Sequence, residues 1–78
     1  MESDDDQLWA RVNGPADLGA FVREVRQRAD LTQEDLSAAI GADRKYVHQV
    51  ETGQVTMYMV RLFALLRELG VEIEVRAR

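Results

Sequence analysis

The 78-residue chain has no cysteine, a single proline and a single histidine. The missing cysteine excludes disulfide staples, thiolate metal sites and thiol nucleophiles, and fits a reducing compartment. One histidine with no thiol or second imidazole beside it cannot build a zinc site, so His48 is read as a helix-surface residue. Also missing are a Gly-rich phosphate loop, a Ser-His-acid set and a metal-ligand cluster; the carboxylates are scattered over helix surfaces. Neither catalysis nor a cofactor or metal is expected. No apolar run is long enough to span a bilayer, and the opening acids Glu2, Asp4, Asp5 and Asp6 stand where a secretory signal carries base. The expectation is a cytoplasmic protein with no membrane partner.

What is present is a folding composition, 46% hydrophobic and 31% charged. A chain of this length forms one domain and buries only about three-fifths of its unfolded surface, so a lone copy is marginal. The net charge of -4 is concentrated at one end: four acids lie in residues 2 to 6, and the remainder holds ten acids against ten bases. A neutral body can still present a basic face, because attraction to phosphate depends on local clustering. Residues 1–13 are read as an acidic, mobile leading segment, 14–70 as the folded domain and 71–78 as a terminal strand.

Asn13-Gly14-Pro15 is a turn that supplies a proline to the first position of a helix. Leu18, Phe21, Val22, Val25 and Ala29 then follow helical spacing. Thr32 and Asp35 form a capping box for a second helix, with Leu36, Ala39 and Ile40 facing the core and Gly41 as its stop. Asp43 caps a short third helix that buries Val47 and Val50 and ends at Gly53. Thr56 caps a fourth, running to Leu69, which is apolar almost all round its axis. Three short helices cannot cover it, so a second protomer is expected against Tyr58, Leu62, Leu65 and Leu69.

After Gly70 the period becomes two, with Val71, Ile73 and Val75 alternating with Glu72, Glu74 and Arg76. No partner strand is evident in the chain, and antiparallel pairing with its own copy satisfies the backbone. A register centred on Val75 sets Glu74 against Arg76 and is favoured over one centred on Ile73, which opposes Glu72 to Glu74. Val71, Ile73 and Val75 thus complete the expected homodimer interface.

The informative stretch is Thr32-Gln33-Glu34-Asp35-Leu36-Ser37-Ala38-Ala39-Ile40-Gly41, followed by Ala42-Asp43-Arg44-Lys45-Tyr46-Val47-His48-Gln49-Val50-Glu51-Thr52-Gly53. Two short helices joined by a glycine turn, the second polar outward, form the arrangement that enters a major groove. This stretch resembles the XRE or Cro-repressor helix-turn-helix family, matching T-Q-x-x-L-A-x-x-x-G and V-x-x-[IV]-E-x-G with Ser37 in place of the alanine. Gly14-Pro15-Ala16-Asp17-Leu18-Gly19-Ala20, Leu66-Arg67-Glu68-Leu69-Gly70-Val71 and the terminal strand resemble the HipB-type antitoxins within it.

The resemblance implies an all-α, four- to five-helix, lambda-repressor-like domain with a C-terminal β-strand pairing across a homodimer. It further implies that Gln33 meets a DNA phosphate and that Glu51 pairs with Arg26 as a structural ion pair. Arg44, Lys45 and Gln49 lie on one exposed face of the third helix and are the candidate base readers; Tyr46 and His48 are placed to touch backbone or a thymine methyl. The family commonly carries Asn and Lys where Thr52 and Gln54 stand, so modest affinity is expected. The implied function is a repressor reading a palindromic operator and binding a HipA-like kinase toxin. A free-standing regulator and an interaction module with weak DNA binding are the alternatives. Trp9 is read equally as an anchor for a protein partner or as a residue folded back on its own dimer.

Overall fold

The computed structural model describes residues 8–54 and 56–78. Its elements run β1 (Trp9–Val12), α1 (Pro15–Arg28), α2 (Gln33–Ile40), α3 (Arg44–Glu51), α4 (Met57–Glu68) and β2 (Ile73–Arg76). Pro15 opens α1 with its fixed φ and no N–H to waste. The capping box at Thr32 forms in full: the Asp35 N–H donates to Thr32 Oγ1 at 2.9 Å, and the Thr32 N–H donates to the Asp35 carboxylate at 3.0 Å. Asp43 accepts from the Tyr46 N–H at 2.9 Å and starts α3 after the left-handed Gly41, φ 73°. Thr56 sits at the start of α4, but its side chain makes no capping bond.

α3 packs against both α1 and α2, and the core is thin: Val12, Val47 and Phe63 are the buried hydrophobics among the described residues. Gly19 explains the closeness of α1 to α3. A Cβ added there would stand 2.1 Å from the Val50 carbonyl oxygen and 2.8 Å from that of Glu51. The spacing of apolar residues in the first helix gives no sign of this, because the constraint comes from a backbone far along the chain.

The structure corrects the sequence at three places. The terminal strand has a partner in its own chain: β1 and β2 pair antiparallel, with Trp9 opposite Arg76, Ala10 opposite Val75, Arg11 opposite Glu74 and Val12 opposite Ile73. Residues 9–12, assigned above to the mobile leading segment, are therefore a strand, while residues 1–7 lie outside the described residues. The physical reason is complementarity. Ala10 and Val12 join Ile73 and Val75 on one face, and Trp9 and Arg11 stand outward beside Arg76 and Glu74. Ile73 and Val75, assigned above to a dimer interface, are accordingly half-buried within this sheet.

The second correction concerns α2. Ile40 is 56% exposed and Ala39 is exposed, while Ser37 is buried and donates to the Glu34 carbonyl at 2.9 Å. Ile40 shares the side of the helix that carries Leu36, but as its last residue it falls past the packed turn. The third concerns class: among the described residues four helices are accompanied by a two-stranded sheet, so the domain is mostly but not wholly helical.

Candidate nucleic-acid interface

α3 buries Val47 and Glu51 and leaves Arg44, Lys45, Tyr46 and His48 exposed, with Gln49 half-buried. At 100° per residue Lys45 and Gln49 share the outermost line, Arg44 and His48 flank it on one side and Tyr46 on the other. The Arg44 side lies against α2, where Arg44 Nε donates to Gln33 Oε1 at 3.4 Å. On the other side, Tyr46 and Gln49 border an open groove of about 730 Å³ with Pro15, Leu18, Thr56 and Met59.

A polar network fixes this helix. Arg26 Nε and Nη2 donate to the two carboxylate oxygens of Glu51, at 2.5 and 3.1 Å, a bidentate pair between side chains 10% and 2% exposed. Arg26 Nη1 donates to the Leu31 carbonyl at 2.7 Å, which ties the pair to the turn before α2. Gln33 Nε2 donates to Glu51 at 3.1 Å, so that Gln33 joins the buried pair to Arg44. Gln33 was assigned from the resemblance to a phosphate. Here its amide oxygen is occupied by Arg44 and one amide hydrogen by Glu51, which leaves the second hydrogen for an anion. Arg44, held through Nε, keeps its two terminal nitrogens for a planar acceptor pair such as the guanine edge.

The hydrogen bonds from Arg26 hold the Glu51 carboxyl below the usual carboxylate range against the opposing effect of burial, with help from Gln33. The Thr32 backbone N–H, then the Thr32 hydroxyl, lower Asp35 likewise. For a carboxyl depressed in the folded state, the unfolded chain binds more protons in the interval between the two pKa values. The stabilisation is therefore complete above the ordinary glutamate value of about 4.3 and is lost as pH falls through the lower folded value. Thermal melts followed by circular dichroism should show stability falling below about pH 4.5. Glu51→Ala should lower neutral stability by about 3 kcal/mol by stranding the arginine, and should flatten that acid limb. An unchanged acid limb in the variant would remove Glu51 from this role.

Several features of this side of the molecule escaped the sequence. The Arg44–Gln33 bond, the burial of Ser37 and Gly19 at the α1–α3 approach each depend on packing beyond the local sequence. Among the described residues there is no group of acids and histidine placed to hold a metal, and no helix is long and apolar enough to cross a membrane.

The chain matches the model of a helix-turn-helix domain over residues 17–78. It is 33% identical over 67 residues to y4mF of Sinorhizobium fredii, described as an uncharacterized HTH-type transcriptional regulator; the alignment covers 86% of this chain and 88% of the relative. No solved structure matches it. With the family model spanning most of the chain and the capped α2–turn–α3 unit at its centre, the protein belongs to the helix-turn-helix domain family.

Proposed function

We propose that the protein is a dimeric, sequence-specific transcriptional repressor that acts as the antitoxin of a HipBA-like pair. The observation that carries the DNA-binding part is the exposed cationic line of α3, with Arg44 held by Gln33 and the helix locked to α1 through Arg26 and Glu51. Family membership and the regulator y4mF support transcriptional control through DNA, and the same membership speaks for a non-enzymatic protein. Arg44, Lys45 and Gln49 read base edges, Tyr46 and His48 touch backbone or thymine methyl, and the remaining Gln33 hydrogen meets a phosphate.

The dimer rests on α4. Met59, Phe63 and Leu66 face inward, while Tyr58, Leu62, Leu65 and Leu69 form an exposed apolar stripe at helical spacing that Val71 extends. The intrachain ladder occupies one edge of β2, and the other edge remains for the partner strand. Two recognition helices about 34 Å apart then read a palindrome with half-sites one turn apart.

Arg44→Ala tests the base reading. It should weaken the selected operator by about ten-fold or more, the worth of a bidentate guanine contact, and random duplex far less. Gel-shift titrations over a salt series measure both, and an equal loss on both DNAs would reduce Arg44 to a phosphate contact. The toxin rests on the resemblance of Gly14–Ala20, Leu66–Val71 and the terminal strand to HipB-type antitoxins. A free-standing regulator is the second reading, favoured by the relative's description as an HTH-type regulator. Copurification separates the two: a larger kinase-like chain supports the antitoxin, and recovery as a homodimer alone supports the free regulator.

A further inference from the structure

We propose that the chain selects its own copy by charge: two α4 helices meet antiparallel across the two-fold axis, with Arg61 of each paired to Glu68 of the other. The inference deepens the dimer reading given above and rests on it.

Tyr58, Leu62, Leu65 and Leu69 are exposed and stand four, three and four residues apart, the alternation of a coiled-coil seam. That spacing is symmetric about a point between Phe63 and Ala64, so an inverted copy sets Tyr58 against Leu69 and Leu62 against Leu65. The two flanks of the stripe differ. At 100° per residue Met59 and Leu66 border one side, and both are half-buried toward the chain's own core with Phe63. Arg61 and Glu68 border the other side, and both are exposed. A parallel pair would lay the open flank of one copy on the core-side flank of the other, where that copy's own body stands. Antiparallel pairing brings open flank to open flank. Residue 61 of one helix then lies only about 3 Å along the axis from residue 68 of the other, within reach of a long arginine.

Neither charge is satisfied by its own helix. The positions three and four away from Arg61 hold Met57, Tyr58, Ala64 and Leu65, and Glu68 looks back on the same Ala64 and Leu65. Arg61 and Glu68 stand two turns apart, about 10 Å, too far to pair with each other. The ion pairs among the described residues join Arg11 to Glu74, Arg26 to Glu51 and Arg28 to Glu24. Arg67, the other base of α4, turns to the core side and donates to the Asn13 carbonyl at 2.6 Å. One base and one acid beside an apolar stripe are complementary to an inverted copy of the same helix, since two opposite-charge pairs form at once. Exposed pairs add little affinity, so their effect is selectivity: a similar stripe flanked by the wrong charge is refused.

The test is a charge-reversal cycle on the full chain, with Arg61→Glu, Glu68→Arg and both together, read by sedimentation from about 0.1 to 100 µM at about 50 mM salt. The two-fold axis repeats each change, so either single reversal turns two attractive pairs into two repulsive ones. It should raise the dimer dissociation constant about ten-fold or more, and Arg61→Gln, which only removes the charge, should fall between. The double reversal restores both pairs and should return to within about three-fold of the parent. Mixing the two single variants should give a heterodimer preferred over either homodimer, because one chain is then acidic at both positions and the other basic at both. At about 500 mM salt these differences should shrink. Single reversals without effect, or a double variant as weak as the two losses combined, overturn the ion pair and leave the dimer reading standing. A mixture with no gain over its components places any coupling within one chain and overturns the proposal. A parent that stays monomeric throughout overturns the dimer reading, and this proposal with it.

Discussion

Gly19→Ala should abolish cooperative folding, or lower the melting temperature by more than about 15 °C. The added methyl would sit 2.1 Å from a backbone carbonyl oxygen of α3, and a backbone atom cannot rotate away as a flexible side chain can. Relief requires α1 and α3 to separate by more than about an ångström, roughly the shortfall from an ordinary contact. That movement would open the contact around Val47 and stretch the Arg26–Glu51 pair, whose short bonds depend on the same approach. Overpacking commonly costs about 1 to 3 kcal/mol, and a backbone collision with an ion pair behind it belongs above that range. A domain of this size has total stability of only about 4 to 12 kcal/mol. Gly41→Ala is the control. Its Cβ would meet nothing within 4 Å, but φ is 73°, so the cost is the left-handed penalty of about 1 to 2 kcal/mol. Melts of the two variants side by side separate collision from backbone strain. A Gly19→Ala protein melting within a few degrees of the parent would disprove the close approach.

The contrast between these glycines also shows which parts of the molecule were legible in the sequence. Gly41, Thr32 with Asp35, and Asp43 act on residues three or four positions away, so their role is written in local spacing, and each does in the structure what that spacing implies. Gly19 sits in the middle of a helix where glycine has no local purpose, and its cause lies more than thirty positions onward in the backbone of Val50 and Glu51. β1 was missed for a similar reason. Four residues behind an acidic run carry too little periodicity to identify a strand, and their partner is at the far end of the chain. A signal was present in the alternation of Trp9 and Arg11 with Ala10 and Val12, and in the match of Arg11 to Glu74. The two side chains meet at 3.4 Å, yet both are half exposed, so the pair marks the register more than it stabilises it. The candidate site divides in the same way. The Arg26–Glu51 pair followed from the family resemblance, whereas the amide of Gln33 linking that pair to Arg44 required the α2–α3 geometry.

On the dimer proposed above, Leu65→Asp should leave a monomer and weaken operator binding by more than about a hundred-fold, because one half-site then binds without the other. Leu65 is 54% exposed in the single chain, between Tyr58 at 73% and Leu69 at 69% on the same line of α4. A carboxylate there meets water in the isolated copy and disturbs none of its inward contacts, which α4 makes through Met59, Phe63 and Leu66. In the proposed two-fold dimer each substitution occurs twice, and both carboxylates enter the apolar stripe formed by Tyr58, Leu62 and Leu69. Desolvating an unpaired charge costs several kcal/mol, enough to outweigh what one leucine contributes by burial. Sedimentation at about 10 µM measures the mass, and a melting temperature that rises with concentration in the parent but not in the variant measures the coupling of folding to assembly. Leu65→Met, which keeps the volume and the apolar surface, should retain the dimer. A Leu65→Asp protein that still sediments as a dimer would place the interface elsewhere, with the open edge of β2 the next surface to disrupt.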